Sequence, residues 1–243
     1  MTRRPEASWT KDWEAYHALV ARAVDEAHTV VEVGCGDGAV APFPWRLYPH
    51  VRLWGVDPDP AARNHPWAEA VHQPTASGRW PLEDRCADLV LARYVFEHVE
   101  RPRAFLREAA RVLRPGGRLL FLTPNARHPA ALASRALPTS WKRRILQATR
   151  GVDEDDVFPT WYRLNTPGAL RRALGPAGFA EIRLTTRELE PCPYLAFCRP
   201  GAWLARAYYE ALRRTGMEGL LGASILGEAS LPADQVRSAN TGA

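Results

Sequence analysis

The sequence predicts an α/β fold with helices on both faces of a mostly parallel sheet, and three observations carry that prediction. From residue 10 to about 123, β-branched strand patterns alternate with amphipathic helical patterns, as successive βαβ units do. The strand-like run "TVVEV" (29–33) ends in the glycine turn "GCGDG" (34–38). The run "CADLVLARY" (86–94) is apolar without alternation, which suits a strand covered on both faces.

In chain order, residues 10–27 repeat apolar side chains at helical spacing (Trp13, Tyr16, Leu19, Val20, Val24) and predict a helix. After the glycine turn, "AVAPFPWRLY" (39–48) is expected to begin a second helix. "VRLWGVD" (51–57) is a strand closing on Asp57-Pro58, and "AEAVHQ" (68–73) is a third. In "RPRAFLREAARVL" (101–113), Pro102 sits near the first helical position and Phe105, Leu106, Ala109, Val112 and Leu113 share a stripe. "RPGG" (114–117) stops that helix and leads into the strand "RLLFLTPN" (118–125). Residues 126–165 break the pattern and read as a cap over a site, because a compact fold rarely keeps so long an irregular connection without a use. Regularity returns in 166–230: Thr166 caps a helix with Pro167 at its first position and Leu170 and Leu174 on one face. The strand "AEIRLTTRE", the helix "GAWLARAYYEALRRTG" and the strand "GASILGEA" follow, and Ser230 to Ala243 reads as a frayed tail. The stripe Trp203, Leu204, Ala207, Tyr208 and Leu212 reads as core, with a lid or homodimer face as the alternative.

Bulk composition narrows the function classes. The chain of 243 residues is one domain's worth of core, and no apolar run is long enough to span a bilayer. Its opening lacks a secretory signal, so a cytoplasmic protein is expected. The net charge of +5 comes almost wholly from arginines scattered among acids rather than clustered with aromatics, which argues against a nucleic-acid partner. The four cysteines form no CxxC pair, the histidines lack ligand spacing, and "DEDD" (153–156) reads as a solvated acidic loop, so no metal is expected.

The chemistry concentrates at residues 30–38. Gly34, Gly36 and Gly38 allow tight turns and let a ligand approach the backbone. Together with Ala39 and with Asp57 roughly 20 residues on, the spacing also fits a dinucleotide fingerprint, so NAD or FAD stays open on the glycines alone. Glu32 and Asp37 tilt the balance: they flank the place of a pyrophosphate, where like charge is unfavourable, and would stabilise a cationic ligand. A plainer role for Glu32 is to cap neighbouring backbone amides.

"VVEVGCGDG", "GVDPDP" and "WPLEDRCADLVLARYVFEHVERPRAFLREAARVLRPGGRLLFLTPN" resemble successive motifs of the class I S-adenosylmethionine (SAM) dependent methyltransferases, in the branch with ubiquinone- and menaquinone-biosynthesis enzymes. The likeness is close over residues 28–125 and looser over "FPTWYRLNTPGALRRALGPAGF". It implies a Rossmann-like, doubly wound seven-stranded sheet with an antiparallel last strand, and SAM lying across the carboxyl ends of the first, second and fourth strands. It places Glu32, Gly34, Cys35, Gly36 and Gly38 around the methionine part, Asp57 on the ribose and Pro58 beside the adenine. Arg93 and Tyr94 would face the methionine end and the acceptor; a long cation at 93 departs from the family's small polar residue and suits an anionic acceptor. The adenine amino group lacks its usual Asp, leaving Gln73 or a backbone group for that contact.

On the acceptor side, His98 is the candidate base for a hydroxyl nucleophile, with a packing histidine fixed by Glu97 as the alternative. Trp161, Tyr162 and Arg163 are candidates to shape a small-molecule pocket. The sequence thus predicts a methyltransferase moving a methyl group from SAM to a small molecule, O-methylation first, with N- or C-methylation open. An NAD(P)-dependent oxidoreductase and a SAM-binding member without turnover are the rivals.

Overall fold

In the computed structural model, residues 10–39, 43–136, 159–188, 190–191 and 199–233 are described. The strands are β1 (Thr29–Val33), β2 (Arg52–Val56), β3 (Ala70–His72), β4 (Ala87–Arg93), β5 (Leu113–Pro124), β6 (Glu181–Arg187) and β7 (Ser224–Ser230). They form one seven-stranded sheet of order β3-β2-β1-β4-β5-β7-β6, in which β7 alone runs antiparallel to its neighbours. The helices are α1 (Thr10–Val24), α2 (Pro102–Val112), α3 (Pro129–Ala136), α4 (Pro167–Leu174), α5 (Arg199–Thr215) and α6 (Glu218–Leu221).

Side-chain alternation splits the core between the two faces of the sheet. Val31, Val33, Val90 and Phe121 pack under α2 and α4, where Leu106, Ala109, Val112, Leu170 and Leu174 are buried. Val30, Leu89, Leu91 and Leu120 pack under α1, against Tyr16, Val20 and Val24. Glu32 and Arg93 share the parity of that second set. Each therefore leaves its strand end on the α1 side of the sheet, which is why the Arg93 charge acts on the Glu32 carboxyl. The Thr166 hydroxyl caps α4 as expected, accepting from the Ala169 amide at 3.2 Å.

Three expectations are corrected. No α-helix follows the glycine turn among the described residues; Trp45–Leu47 makes a single 3₁₀ turn. Pro42, Pro44 and Pro49 remove donors and bias their preceding residues away from helix, which accounts for the loss. The start of the tail is not frayed: the Leu231 amide donates to the Gly117 carbonyl at 2.9 Å, and the Gly116 amide to that of Pro232 at 3.1 Å. On α5 Ala205 and Leu212 are buried and Tyr208 is half-buried, while Trp203 is 72% exposed, Leu204 54% and Ala207 exposed, so of the expected stripe Tyr208 and Leu212 turn inward and the other three do not.

Candidate active site

At the carboxyl ends of β1, β2 and β4 the sheet opens into a cleft of about 600 Å³. Strand order reverses between β1 and β4, the place where open α/β sheets take their ligands. One wall is the glycine turn. Gly34, Gly36 and Gly38 have φ of +66°, +53° and +74°, a region that side-chain-bearing residues avoid. A Cβ on Gly34 would lie 2.5 Å from Val95 Cγ2, whereas one on Gly36 would meet no atom within 4 Å. Gly36 therefore turns a bare backbone toward open space in the cleft.

Asp57 pins that turn. Its buried carboxylate accepts from the Gly36 amide at 2.9 Å through Oδ2 and from the Asp59 amide at 2.8 Å through Oδ1. Each oxygen keeps a second lone pair for a diol at the lip of the cleft. Pro58 and Asp37 line the same wall. Cys35 lines it too, but its thiol packs into the space above Gly55 and is pushed up to about 12 by burial, so it is no nucleophile.

Glu32 is the largely buried acid of this end of β1. It does not line the cleft; it lies beneath the turn with its side chain 16% exposed, and its Oε2 is buried without a hydrogen bond, 4.0 Å from His65 Nε2. Burial pushes its carboxyl up to about 7, and the Arg93 guanidinium opposes the shift.

The opposite end of the cleft holds Arg93, Tyr94, His98 and Trp13 of α1. The Arg93 guanidinium stacks 5.6 Å from the centre of the Trp13 ring. Tyr94 adopts φ +54°, a strained conformation where β4 turns into the site. His98 Nδ1 is 2.8 Å from the Pro159 carbonyl oxygen, which can only accept; Nδ1 thus carries the proton, and the lone pair of the neutral ring falls on Nε2. Glu97 precedes this histidine in the chain. It is buried, accepts from the Thr123 hydroxyl at 3.3 Å, and is pushed up to about 7 by desolvation.

Trp161, Tyr162 and Arg163 stand outside the cleft. The first two donate backbone amides to the Glu97 carbonyl at 2.7 and 3.2 Å, and Arg163 reaches the Glu100 carbonyl at 2.6 Å. Gln73 is also outside, its amide donating to the Pro58 carbonyl at 3.2 Å. Sequence reasoning missed the apolar end formed by Trp80, Val95 and Phe105, and the Thr75–Gly78 turn beside it. It also missed Trp13, whose helical spacing marked it only as core. Of the cap, residues 137–158, with the acidic run 153–156, lie outside the described residues.

The residues present fit SAM. A backbone cradle that a Cβ would fill, a pinned carboxylate for a ribose and an apolar end for an adenine lie along one cleft. Among the described residues no α-helix follows the turn to offer its dipole to a pyrophosphate. A family model described as a methyltransferase domain matches residues 8–184. The chain belongs to this family of methyltransferase domains. It is 30% identical over 192 residues to a fatty-acid O-methyltransferase of Mycolicibacterium smegmatis, covering 72% of this chain and 70% of that protein. It is 28% identical over 173 residues to a trans-aconitate 2-methyltransferase of Azoarcus, covering 68% and 66%. The fold matches that of a SAM-dependent methyltransferase from Thermotoga maritima with a TM-score of 0.54, at 18% identity and over 91% and 92% of the two chains. The protein is a SAM-dependent methyltransferase. No helix among the described residues is long and apolar enough to cross a membrane.

Proposed function

We propose that this methyltransferase esterifies a small carboxylic acid, with Arg93 orienting the acceptor's carboxylate. The observation that carries the reading is the guanidinium at the inner end of the cleft, on the strand end that flanks the glycine turn. The names of the two relatives, a fatty acid in one and aconitate in the other, both denote carboxylic acids and support it.

SAM, when bound, supplies an electrophilic methyl on a sulfonium. The protein's task is then alignment. Asp57 and the bare backbone at Gly36 fix the cofactor's position, and Arg93 and Tyr94 fix the acceptor's. Orientation of this kind contributes on the order of 7–11 kcal/mol to a two-reactant step. A carboxylate is already ionised at neutral pH and needs no base. Stacking on Trp13 restricts the Arg93 side chain, which lowers the entropic cost of pairing with an anion.

A second reading, a hydroxyl acceptor, is supported by the fixed tautomer of His98, whose Nε2 lone pair suits a general base. Transfer of labelled methyl from SAM to a panel of carboxylic acids and phenols, with Arg93→Gln and His98→Gln, separates the two. Esterification predicts about a 100-fold loss of kcat/KM in Arg93→Gln, concentrated in KM, and less than about a 3-fold change in His98→Gln. A phenolic product whose kcat falls by about 10²–10⁴ in His98→Gln, with loss of the acid limb of its pH profile, would replace the first reading by the second.

A further inference from the structure

A groove of about 730 Å³ runs between the N-terminal half of α2 and α4. Five arginines line it: Arg101, Arg103, Arg107, Arg163 and Arg172, all exposed. Among the described residues none of them forms an ion pair, whereas Arg111, Arg114 and Arg118 nearby all do. The single acidic lining residue is Glu100, and what Arg163 takes from it is the backbone carbonyl. Arg103 and Arg107 stand one helical turn apart, a like-charge pair that costs α2 about 0.2–0.5 kcal/mol. Such a concentration of uncompensated cations is stabilised only when an anion meets it.

We propose that this groove docks an acidic amphipathic helix of a partner protein. Its floor is apolar, formed by the half-buried Ala169 and Ala173 over the fully buried Leu164, and the guanidiniums form its rim. A free phosphate or small polyanion would satisfy the rim and leave the floor in water. A nucleic acid would find the Trp161 ring beside the groove already stacked under Arg163, and no aromatic ring lines the groove itself. A helix with carboxylates along one side and aliphatic residues on the other matches both features. Glu100, Arg101 and Ala104 line the groove and the cofactor cleft alike, so an occupant bears on the segment that walls the cofactor and couples to its affinity.

The probe is a fluorescent helical peptide of about 18 residues with a glutamate face and a leucine face, titrated into the full chain at low salt. A composition-matched scrambled peptide and a fluorescent oligo-dT serve as comparators. The amphipathic peptide is expected to bind at least about 10-fold more tightly than either. Its affinity should fall about 10-fold or more in Arg103→Ala/Arg107→Ala/Arg172→Ala and change less than about 2-fold in the charge-matched Arg206→Ala/Arg213→Ala/Arg214→Ala on α5. Unchanged S-adenosylhomocysteine (SAH) affinity in both triple variants shows that the fold is intact. Equal losses in the two variants, or tighter binding of oligo-dT, would overturn the proposal. So would a gain of about 10-fold on neutralising the chain's own acidic run (Asp153→Asn/Glu154→Gln/Asp155→Asn/Asp156→Asn), which would name that run as the occupant.

Discussion

Gly36→Ala separates the role of the glycine turn in folding from its role in binding. At φ +53° an alanine costs about 1–2 kcal/mol, and the stiffer unfolded chain returns about 0.4–1 kcal/mol of that. No atom lies within 4 Å of the new Cβ, so no clash is added. The net loss of about 1 kcal/mol lowers Tm by about 2–4 °C in a chain of this size. Gly34→Ala carries the same strain, and its Cβ also meets Val95 Cγ2 at 2.5 Å. Overpacking of that kind adds about 1–3 kcal/mol, which Val95→Ala in the same chain should largely relieve. Binding follows a different order. The Cβ of Gly36 enters the open space of the cleft, so if the cofactor lies there SAH affinity should fall by about 30-fold or more, roughly 2 kcal/mol. Gly216→Ala is the control: φ +68°, no atom within 4 Å of its Cβ, and a position just past α5. Calorimetric SAH titration and thermal melts of these variants test the scheme. If Gly36→Ala binds SAH as tightly as Gly216→Ala does, the turn does not touch the cofactor and the reasoning fails.

Three further outcomes follow from the same geometry. Glu32 and Glu97 have carboxyls pushed up from 4.5 to about 7 by burial, so the stability their neutral forms confer is complete below pH 4.5 and lost as pH rises through 7. His17 and His65, held below their ordinary 6.5 by desolvation, oppose this only on the acid side. Between pH 6.5 and 8 stability should fall by about 1 kcal/mol, and by about half as much in Glu97→Gln; melting curves that stay flat in the wild type would contradict this. Arg111 donates to the Trp80 and Leu82 carbonyls at 2.9 and 2.8 Å while pairing with Glu108 and Asp84. Arg111→Met should destabilise the fold by about 2–4 kcal/mol and loosen the cleft end at Trp80, weakening SAH binding; a drop below about 1 kcal/mol by urea titration would show those carbonyls to be satisfied otherwise. Cys35, with its thiol at about 12, should resist iodoacetamide in the native protein at pH 8, as peptide mass mapping can check.

The sheet was legible because its central strands are rich in β-branched and leucine side chains between turn signals. "TVVEV" and "CADLVLAR" fill the two positions that flank the switch in strand order. Asp57 was legible for its place at the end of β2, although its bond to the Gly36 amide spans two elements and has no local signal. The helix expected after the glycine turn failed to a signal already present: three prolines in eight residues outweigh the apolar spacing of "AVAPFPWRLYP". Trp203 and Leu204 were misplaced because the small Ala205, rather than either large neighbour, shares the buried side of α5 with Leu212. The partner of His98 was out of reach, since Pro159 lies 61 residues away in the chain. For the same reason the bonds that the amides of Trp161 and Tyr162 and the Arg163 guanidinium make to the carbonyls of Glu97 and Glu100 had no local signal.

The central claim is that this cleft binds SAM through Asp57, and calorimetric titration of the protein with SAH, beside Asp57→Ala and with NADH as comparator, tests it most directly. The account predicts micromolar SAH binding that weakens about 100-fold or more in Asp57→Ala, together with no response to NADH. Heat on adding NADH and none on adding SAH would contradict it.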